Sequence, residues 1–322
     1  MNSLITGIGG MVGSHLAELL LKKGDKVSGI YYNSTVNIDE LPEGIMLSEC
    51  DVRYFKSVYD ILSKHNPERI FHLAAQSLPT VSLVKPEETF EINCAGTINI
   101  FESIKLIQKQ NQKYNPVVVV ACSSAEYGAS LTVENTPIKE DTLLLPLHPY
   151  GASKVAQDLL AYQYYKSDKL NSIRVRIFNT TGPRKTNDVC SDFTRRAVEI
   201  ESGKSSKLLV GNISTKRAIT DVRDLAIALE LISLDGKAGE VYNISGEKAY
   251  LISDIIEIIK KNSKARIEIE VSNELIRPTD EPIIFGDSTK LKNCTGWKQH
   301  YSIEETIIDM LAYWRNKIGD KK

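Results

Sequence analysis

Ser3-Leu4-Ile5-Thr6-Gly7-Ile8-Gly9-Gly10-Met11-Val12-Gly13 stands almost at the start of the chain. Residues 3–6 predict a short apolar strand, and the pattern over about 12–23 predicts an amphipathic helix. Between them Gly7, Gly10 and Gly13 have the spacing G-x-x-G-x-x-G. Glycines allow a tight turn and let backbone N–H groups approach a phosphate at the positive end of the helix. Strand, glycine loop and helix in succession make dinucleotide binding the better reading of this stretch than an ordinary turn.

Outward from there the alternation continues. Strands are expected over 26–31 and 45–50, with a helix over 54–64. A fourth strand starts at Arg69 and runs into small residues at Ala74-Ala75, and a long helix covers 87–108. Pro116 to Ala121 reads as a fully buried strand, and a further strand is expected over 173–178. Strands alternating with helices predict an α/β fold, a Rossmann-type doubly wound parallel sheet. Ligands bind such sheets at the C-terminal ends of the strands, where Gly7, Ala74, Ser123 and Asn179 all fall. A smaller C-terminal α/β lobe is expected to hold the substrate. The expected division is 1–178 plus about 217–245 for the dinucleotide domain, and 179–216 with 246–322 for the lobe. Helices are expected over 190–203, from Arg217 to about 234 and over 252–261, with short strands over 207–210, 241–244 and 266–270. The segment Arg277 to Pro282 reads as extended. Ser302 and Glu305 form a capping box that opens a closing helix.

His148-Pro149-Tyr150-Gly151-Ala152-Ser153-Lys154 carries the chemistry. Tyr150 and Lys154 are spaced i, i+4 on an expected helix and so share a face. A free phenol has a pKa of about 10. A neighbouring cation is expected to move it toward neutrality, so that it can exchange a proton with a carbinol or carbonyl oxygen. The strand ending in Tyr31-Tyr32-Asn33 offers neither an acid nor an arginine to the adenosine ribose, so NAD and NADP both remain open. His72, inside an apolar strand, reads as a packed core histidine.

The composition excludes other classes. Lys+Arg 40 against Asp+Glu 41 gives no broad attraction to nucleic acid or membranes. The five cysteines form no Cys-x-x-Cys pair, and the five histidines have no metal-ligand spacing, so no metal site is expected. No apolar run approaches the roughly 20 residues of a spanning helix. Strand-like residues begin near Met1 and leave no room for a signal peptide, so a cytoplasmic protein with reduced thiols is expected.

Taken together, Thr6 to Gly13, Asp51-Val52, His72 to Ala75, Asn93 with Gly96-Thr97, Ser123-Ser124 before Tyr127-Gly128, and Tyr150 with Lys154 resemble the extended short-chain dehydrogenase/reductase family in its sugar-nucleotide branch. Arg277 to Asp280, Gly286-Asp287, Lys290-Leu291 and Thr295-Gly296-Trp297 narrow the resemblance. They look like the GDP-mannose 4,6-dehydratases and still more like the GDP-4-keto-6-deoxy-mannose reductases.

The resemblance implies that Ser123 bonds the oxygen at sugar C4, Tyr150 is the acid/base there, and Lys154 binds the nicotinamide ribose. The cofactor would lie along Gly7, Gly10, Met11, Val12, Tyr31, Asn33, Asp51, Val52, Leu73, Ala74 and Ala75, besides Tyr150 and Lys154. Gln76, Ser82, Ser124, Ala125 and Asn179 would line the sugar-nucleotide site. Arg217 and Arg277 would pair with the diphosphate and Asp280 with a ribose. A homodimer or tetramer through helices near 90–108 and 150–167 is implied as well.

Two departures matter. Dehydratases of the group carry a glutamate, and the epimerase-reductases a cysteine, where this chain has Ala125. Ala218 replaces the acid usual after Arg217, which bears on loop geometry only. The expectation is therefore NAD(P)-dependent reduction of a GDP-linked 4-keto sugar without chemistry at C5. The alternatives are a 4-dehydrogenase or 4-epimerase, a GDP-mannose 4,6-dehydratase, or a dinucleotide-binding protein without turnover.

Overall fold

The computed structural model describes residues 1–275 and 281–319. Its centre is a seven-stranded parallel sheet. The strands are Asn2–Thr6 (β1), Lys26–Tyr31 (β2), Met46–Glu49 (β3), Arg69–His72 (β4), Val117–Ser123 (β5), Ser172–Ile177 (β6) and Val241–Ile244 (β7). They lie in the order β7-β6-β5-β4-β1-β2-β3, so the chain reverses direction next to β1, where a doubly wound sheet opens its crevice.

Alternate side chains of each strand point to opposite faces, and each face has its own core. Ile5, Val27, Phe71, Val119 and Val175 face helices Met11–Lys22 (α1) and Val222–Asp235. Leu4, Ile70, Val118 and Val120 face Phe55–His65 (α2), Gly96–Gln110 (α3) and Pro149–Asp168 (α4). A separate apolar cluster joins Val189–Glu201 (α5), Ile252–Asn262 and Ile303–Gly319 to the strand Leu208–Val210. Ser302 and Glu305 make the expected box ahead of the last helix, with Ser302 N donating to Glu305 Oε2 at 2.8 Å and Glu305 N to Ser302 Oγ at 3.2 Å.

Three expectations need correction. The long helix over 87–108 is broken: Pro79–Val84 and Pro86–Phe90 are short helices, and Glu91–Ala95 is a π turn leading into α3. Arg217 does not open a helix. It lies in the strand Lys216–Ala218, which pairs with Ala249–Leu251 and Ile283–Ile284, and Asp221 caps the following helix by accepting from Arg223 N at 2.8 Å. The short strand expected over 266–270 is shifted to Ile269–Val271. Ala218, at the end of the strand Lys216–Ala218, is fully buried, and an acid in its place would lose its water. Arg277 and Asp280 lie outside the described residues.

The glycine loop is fixed by close packing. Gly7 has φ +72°, and a Cβ added to it would stand 2.9 Å from the Ala74 nitrogen just past β4. Gly24, at φ +85°, has no heavy atom near such a Cβ. Gly24→Ala should therefore cost only the left-handed strain, about 1–2 kcal/mol. Gly7→Ala should cost distinctly more, because the backbone of β4 must also move. Chemical denaturation of both variants measures the difference, and equal losses would contradict the packing argument.

Candidate active site

Three chain segments meet at the C-terminal ends of β4, β5 and β6. β5 ends at Ser123, and a one-turn 3₁₀ helix, Ser124–Glu126, follows. Ser123 caps that turn. Its Oγ accepts from Ala125 N at 3.2 Å, and its own N–H donates to Glu126 Oε1 at 2.8 Å. The start of α4 then packs on the turn. Pro149 is the first helical residue, and His148 caps the helix by accepting from Gly151 N at 3.1 Å. A Cβ on Gly151 would stand 2.6 Å from the Ala125 carbonyl oxygen, so only glycine lets the helix come this close. The close approach brings the Tyr150 phenol near Ser123, whose hydroxyl acts on it to lower its pKa.

Lys154 follows one turn later, 3 % exposed, with Nζ 5.9 Å from the centre of the Tyr150 ring. It donates to Ala121 O at 2.8 Å and to Gln157 Oε1 at 2.7 Å. The expected downward shift of the phenol is not what this arrangement produces. Burial pushes Tyr150 up to about 12, and Glu126 and Cys122 push the same way; the Ser123 hydroxyl opposes them. Burial lowers Lys154, against the pull of Cys122, Glu126 and Cys94. Tyr150 is thus a protonated phenol at neutral pH, suited to donating.

Glu126 does not reach over the site. It is fully buried and turned inward. Its carboxylate shares Arg176 Nε with Asp158, at 3.2 and 3.0 Å, and Asp158 also accepts from Arg174 at 2.6 Å. Burial first, and then Asp158, push Glu126 up to about 8 against the opposing Arg176. Donor atoms of Cys122, Glu126 and Asp158 lie within 4.8 Å of one another, but the two arginines already supply the counter-charge. Arg176 also donates to the Tyr127 hydroxyl at 3.0 Å, which makes Tyr127 a core residue.

The glycine loop lies beside β4 of the same crevice. Gly10 caps α1 without a side chain, so the first-turn amides of Met11 and Val12 keep no protein cap. That suits the diphosphate of a dinucleotide. Ala74 lies against Gly7, between Leu73 and Ala75. At the end of β2, Tyr31 is half-buried, and Asn33 is exposed with φ +48°. Asp51 is engaged: Arg53 donates to it from Nε at 2.9 Å and from Nη2 at 2.6 Å. Burial alone would raise the Asp51 carboxyl, but Arg53 outweighs it and holds it below the usual range. Val52 is packed against Gly96.

The residues expected at the sugar nucleotide divide. Asn179 follows β6, whose Ile177 pairs with Ser123. Its Oδ1 is buried without a partner among the described residues, and Asn179 lines a cavity of about 530 Å³. Arg217 lines the same cavity, with Asp188, Arg195, Arg196 and Asn212. Arg217 also donates to Glu281 O at 2.9 Å. Ser124 is buried, while Ala125 is half-buried beside Tyr150. Gln76 and Ser82 are hydrogen-bonded within the protein. The Gln76 side chain is committed to Leu78 and to Thr89 Oγ1 at 2.9 Å. Ser82 is fully buried and donates to Pro79 O at 2.7 Å.

The sequence reading missed how Asn93 serves the site. From the π turn its Oδ1 accepts from Gln76 N at 2.9 Å, and its Nδ2 donates to Ser153 Oγ at 2.9 Å, tying the end of β4 to α4. Gln157 was missed too, although its place three residues after Lys154 puts both on one helix face.

The model of the family described as GDP-mannose 4,6 dehydratase matches residues 4–310. The chain belongs to that family. Among curated members, the GDP-6-deoxy-D-mannose reductase of Pseudomonas aeruginosa is 25 % identical, over 98 % of both chains. The solved structure of RMD from Pseudomonas aeruginosa complexed with NADPH superposes with a TM-score of 0.83 at 24 % identity, covering 98 % of this chain and 100 % of the other. A Thermus thermophilus UDP-glucose 4-epimerase in complex with NAD gives a TM-score of 0.85 at 24 % identity, covering 98 % and 99 %. The Rossmann-type fold is common to both. No described helix is long and apolar enough to cross a membrane.

Because Glu126 is a buried cap, Glu126→Gln should keep the bond from Ser123 N and change turnover by no more than about threefold. Glu126→Ala leaves that buried N–H unpaired and should cost about 1–3 kcal/mol of stability. Steady-state rates and denaturation curves check both. A loss of turnover above a hundredfold in Glu126→Gln would make Glu126 a proton-transfer group.

Proposed function

We propose that this family member is an NAD(P)-dependent enzyme that reduces the 4-keto group of a GDP-linked sugar, in particular a GDP-4-keto-6-deoxy sugar. One observation carries the reading. Ser123 and a protonated Tyr150 stand together at the crevice, and Ala125, two residues after Ser123, has no group to draw a proton from carbon.

The bound reduced nicotinamide supplies the hydride. The rest belongs to the chain. The uncapped start of α1 holds the cofactor diphosphate at Met11 and Val12, with Gly7 and Ala74 beneath. Lys154 offers its remaining N–H to the nicotinamide ribose. Ser123 holds the C4 oxygen, and Tyr150 gives it a proton as charge develops there. Asn179, whose Oδ1 has no partner among the described residues, accepts from a sugar hydroxyl. The cavity beyond it takes the nucleotide in the lobe formed by 179–216 and 246–322, with Arg217 toward the diphosphate. The names of the matched family and of the Pseudomonas aeruginosa reductase support the GDP-sugar class. The NADPH and NAD in the similar structures support a nicotinamide cofactor of either kind.

A homodimer through α3 and α4 belongs to the proposal, supported by Leu159 and Tyr162, which are 55 % and 38 % exposed on α4. Cytoplasmic residence belongs to it as well, supported by five free cysteines.

With a GDP-4-keto-6-deoxy sugar, NAD(P)H absorbance should fall only when both substrates are present. Tyr150→Phe should lower kcat by roughly a hundredfold to ten-thousandfold and leave cofactor binding intact. Conversion of GDP-mannose into a 4-keto-6-deoxy product would instead make the chain a dehydratase.

A further inference from the structure

An ammonium has three N–H groups and accepts nothing. Two of those on Lys154 go to Ala121 O and Gln157 Oε1. The first acceptor comes with the strand. The second depends on which way the Gln157 amide faces, and the next partners decide that.

Gln157 Nε2 donates to Thr97 Oγ1 at 2.8 Å. Thr97 has one hydroxyl proton, and it goes to Asn93 O at 2.7 Å. Thr97 Oγ1 can therefore only accept, from Gln157 and from His72 Nε2 at 3.0 Å. His72 is 1 % exposed, and burial, with Lys154 adding to it, pushes its pKa down to about 3. It is neutral with its one proton on Nε2. Its Nδ1 then accepts from Thr6 Oγ1 at 2.9 Å, and that oxygen accepts from Ala74 N at 3.1 Å. Each proton in the chain has one place to go. A flipped Gln157 would turn its NH₂ toward the ammonium and its carbonyl toward an oxygen with no proton left.

We propose that Gln157, its amide locked by Thr97 and His72, is a positioning residue for Lys154: it holds the ammonium in place and leaves the third N–H for the ligand. The chain of bonds runs back to Thr6 and Ala74, so the strand that precedes the glycine loop and the cation of the chemical site share one buried network. The role of the third N–H rests on the function proposed above; the lock itself does not.

The groups around Nζ are Cys122 at the end of β5, Glu126 in the turn after it, Cys94 in the π turn, His72 on β4 and Tyr150 on its own helix. All of them stay in place when Gln157 is replaced. The test is the titration of Lys154 in the full chain, labelled with ¹³C at the lysine ε-carbon and assigned through Lys154→Arg. Gln157→Met keeps the volume and removes the acceptor, so the Lys154 pKa should fall by about one unit. Thr97→Val should move it the same way, and Thr97→Ser should restore it. Should Gln157→Met fail to fold, Gln157→Glu supplies a charged acceptor and should raise the pKa by about one unit. An unchanged titration in a folded Gln157 variant overturns the proposal. With a GDP-4-keto sugar, Gln157→Met should lower kcat roughly tenfold with KM within about twofold. If the unaltered enzyme turns over no such sugar but the titration shifts, the functional reading fails and the lock stands.

Discussion

A lysine charge held almost out of reach of water is the constraint on which the site depends. Such a charge survives only with acceptors in place. Lys154 finds one in the last turn-in of β5, at Ala121, and one in Gln157 on its own helix. The first requires α4 to lie tightly along the strand ends, and Gly151 against the Ala125 carbonyl is what permits it. The same approach brings Tyr150 to Ser123, so the sheet edge, the helix start and the chemical trio are one packing solution.

The neighbouring carboxylates show how one residue of offset changes the chemistry available. Glu126 stands next to Ala125 in sequence, yet its side chain closes a cap on Ser123 N and joins Arg176 and Asp158 in the interior. The residue at that point, Ala125, is half-buried and carries only a methyl. Nothing there can remove a proton from carbon, while Tyr150, pushed up to about 12 mainly by burial, arrives with its proton on. A donor phenol beside an alanine suits addition of hydride and proton across a carbonyl, which is the reading proposed above.

Much of this was legible in the sequence because the signals are local. β2 and β7 fall on 26–31 and 241–244 as read, each carrying valine, isoleucine and tyrosine, which favour strand. The glycine loop and the Tyr150–Lys154 spacing were legible for the same reason. The π turn at Glu91–Ala95 was not: its extra residue serves Asn93, which reaches Gln76 and Ser153, and no periodicity announces a partner 60 residues away. The helix expected from Arg217 starts only at Val222, because Lys216–Ala218 pairs with Ala249–Leu251 and Ile283–Ile284. Ser82 and Gln76 look like free polar groups in sequence, and only the packing shows their hydrogen bonds already spent. The phenol's upward shift was equally hidden, because the spacing reveals the cation nearby but not the degree of burial.

The central claim, hydride and proton delivered at C4 with C5 left untouched, is tested most directly by isotope placement. The reaction is run in D₂O with reduced cofactor and a GDP-4-keto-6-deoxy sugar, and the product is read by NMR against an enzyme-free control. The account predicts a product with hydrogen from the cofactor at C4 and no enzyme-dependent deuterium at C5. Deuterium introduced at C5 by the enzyme would contradict it.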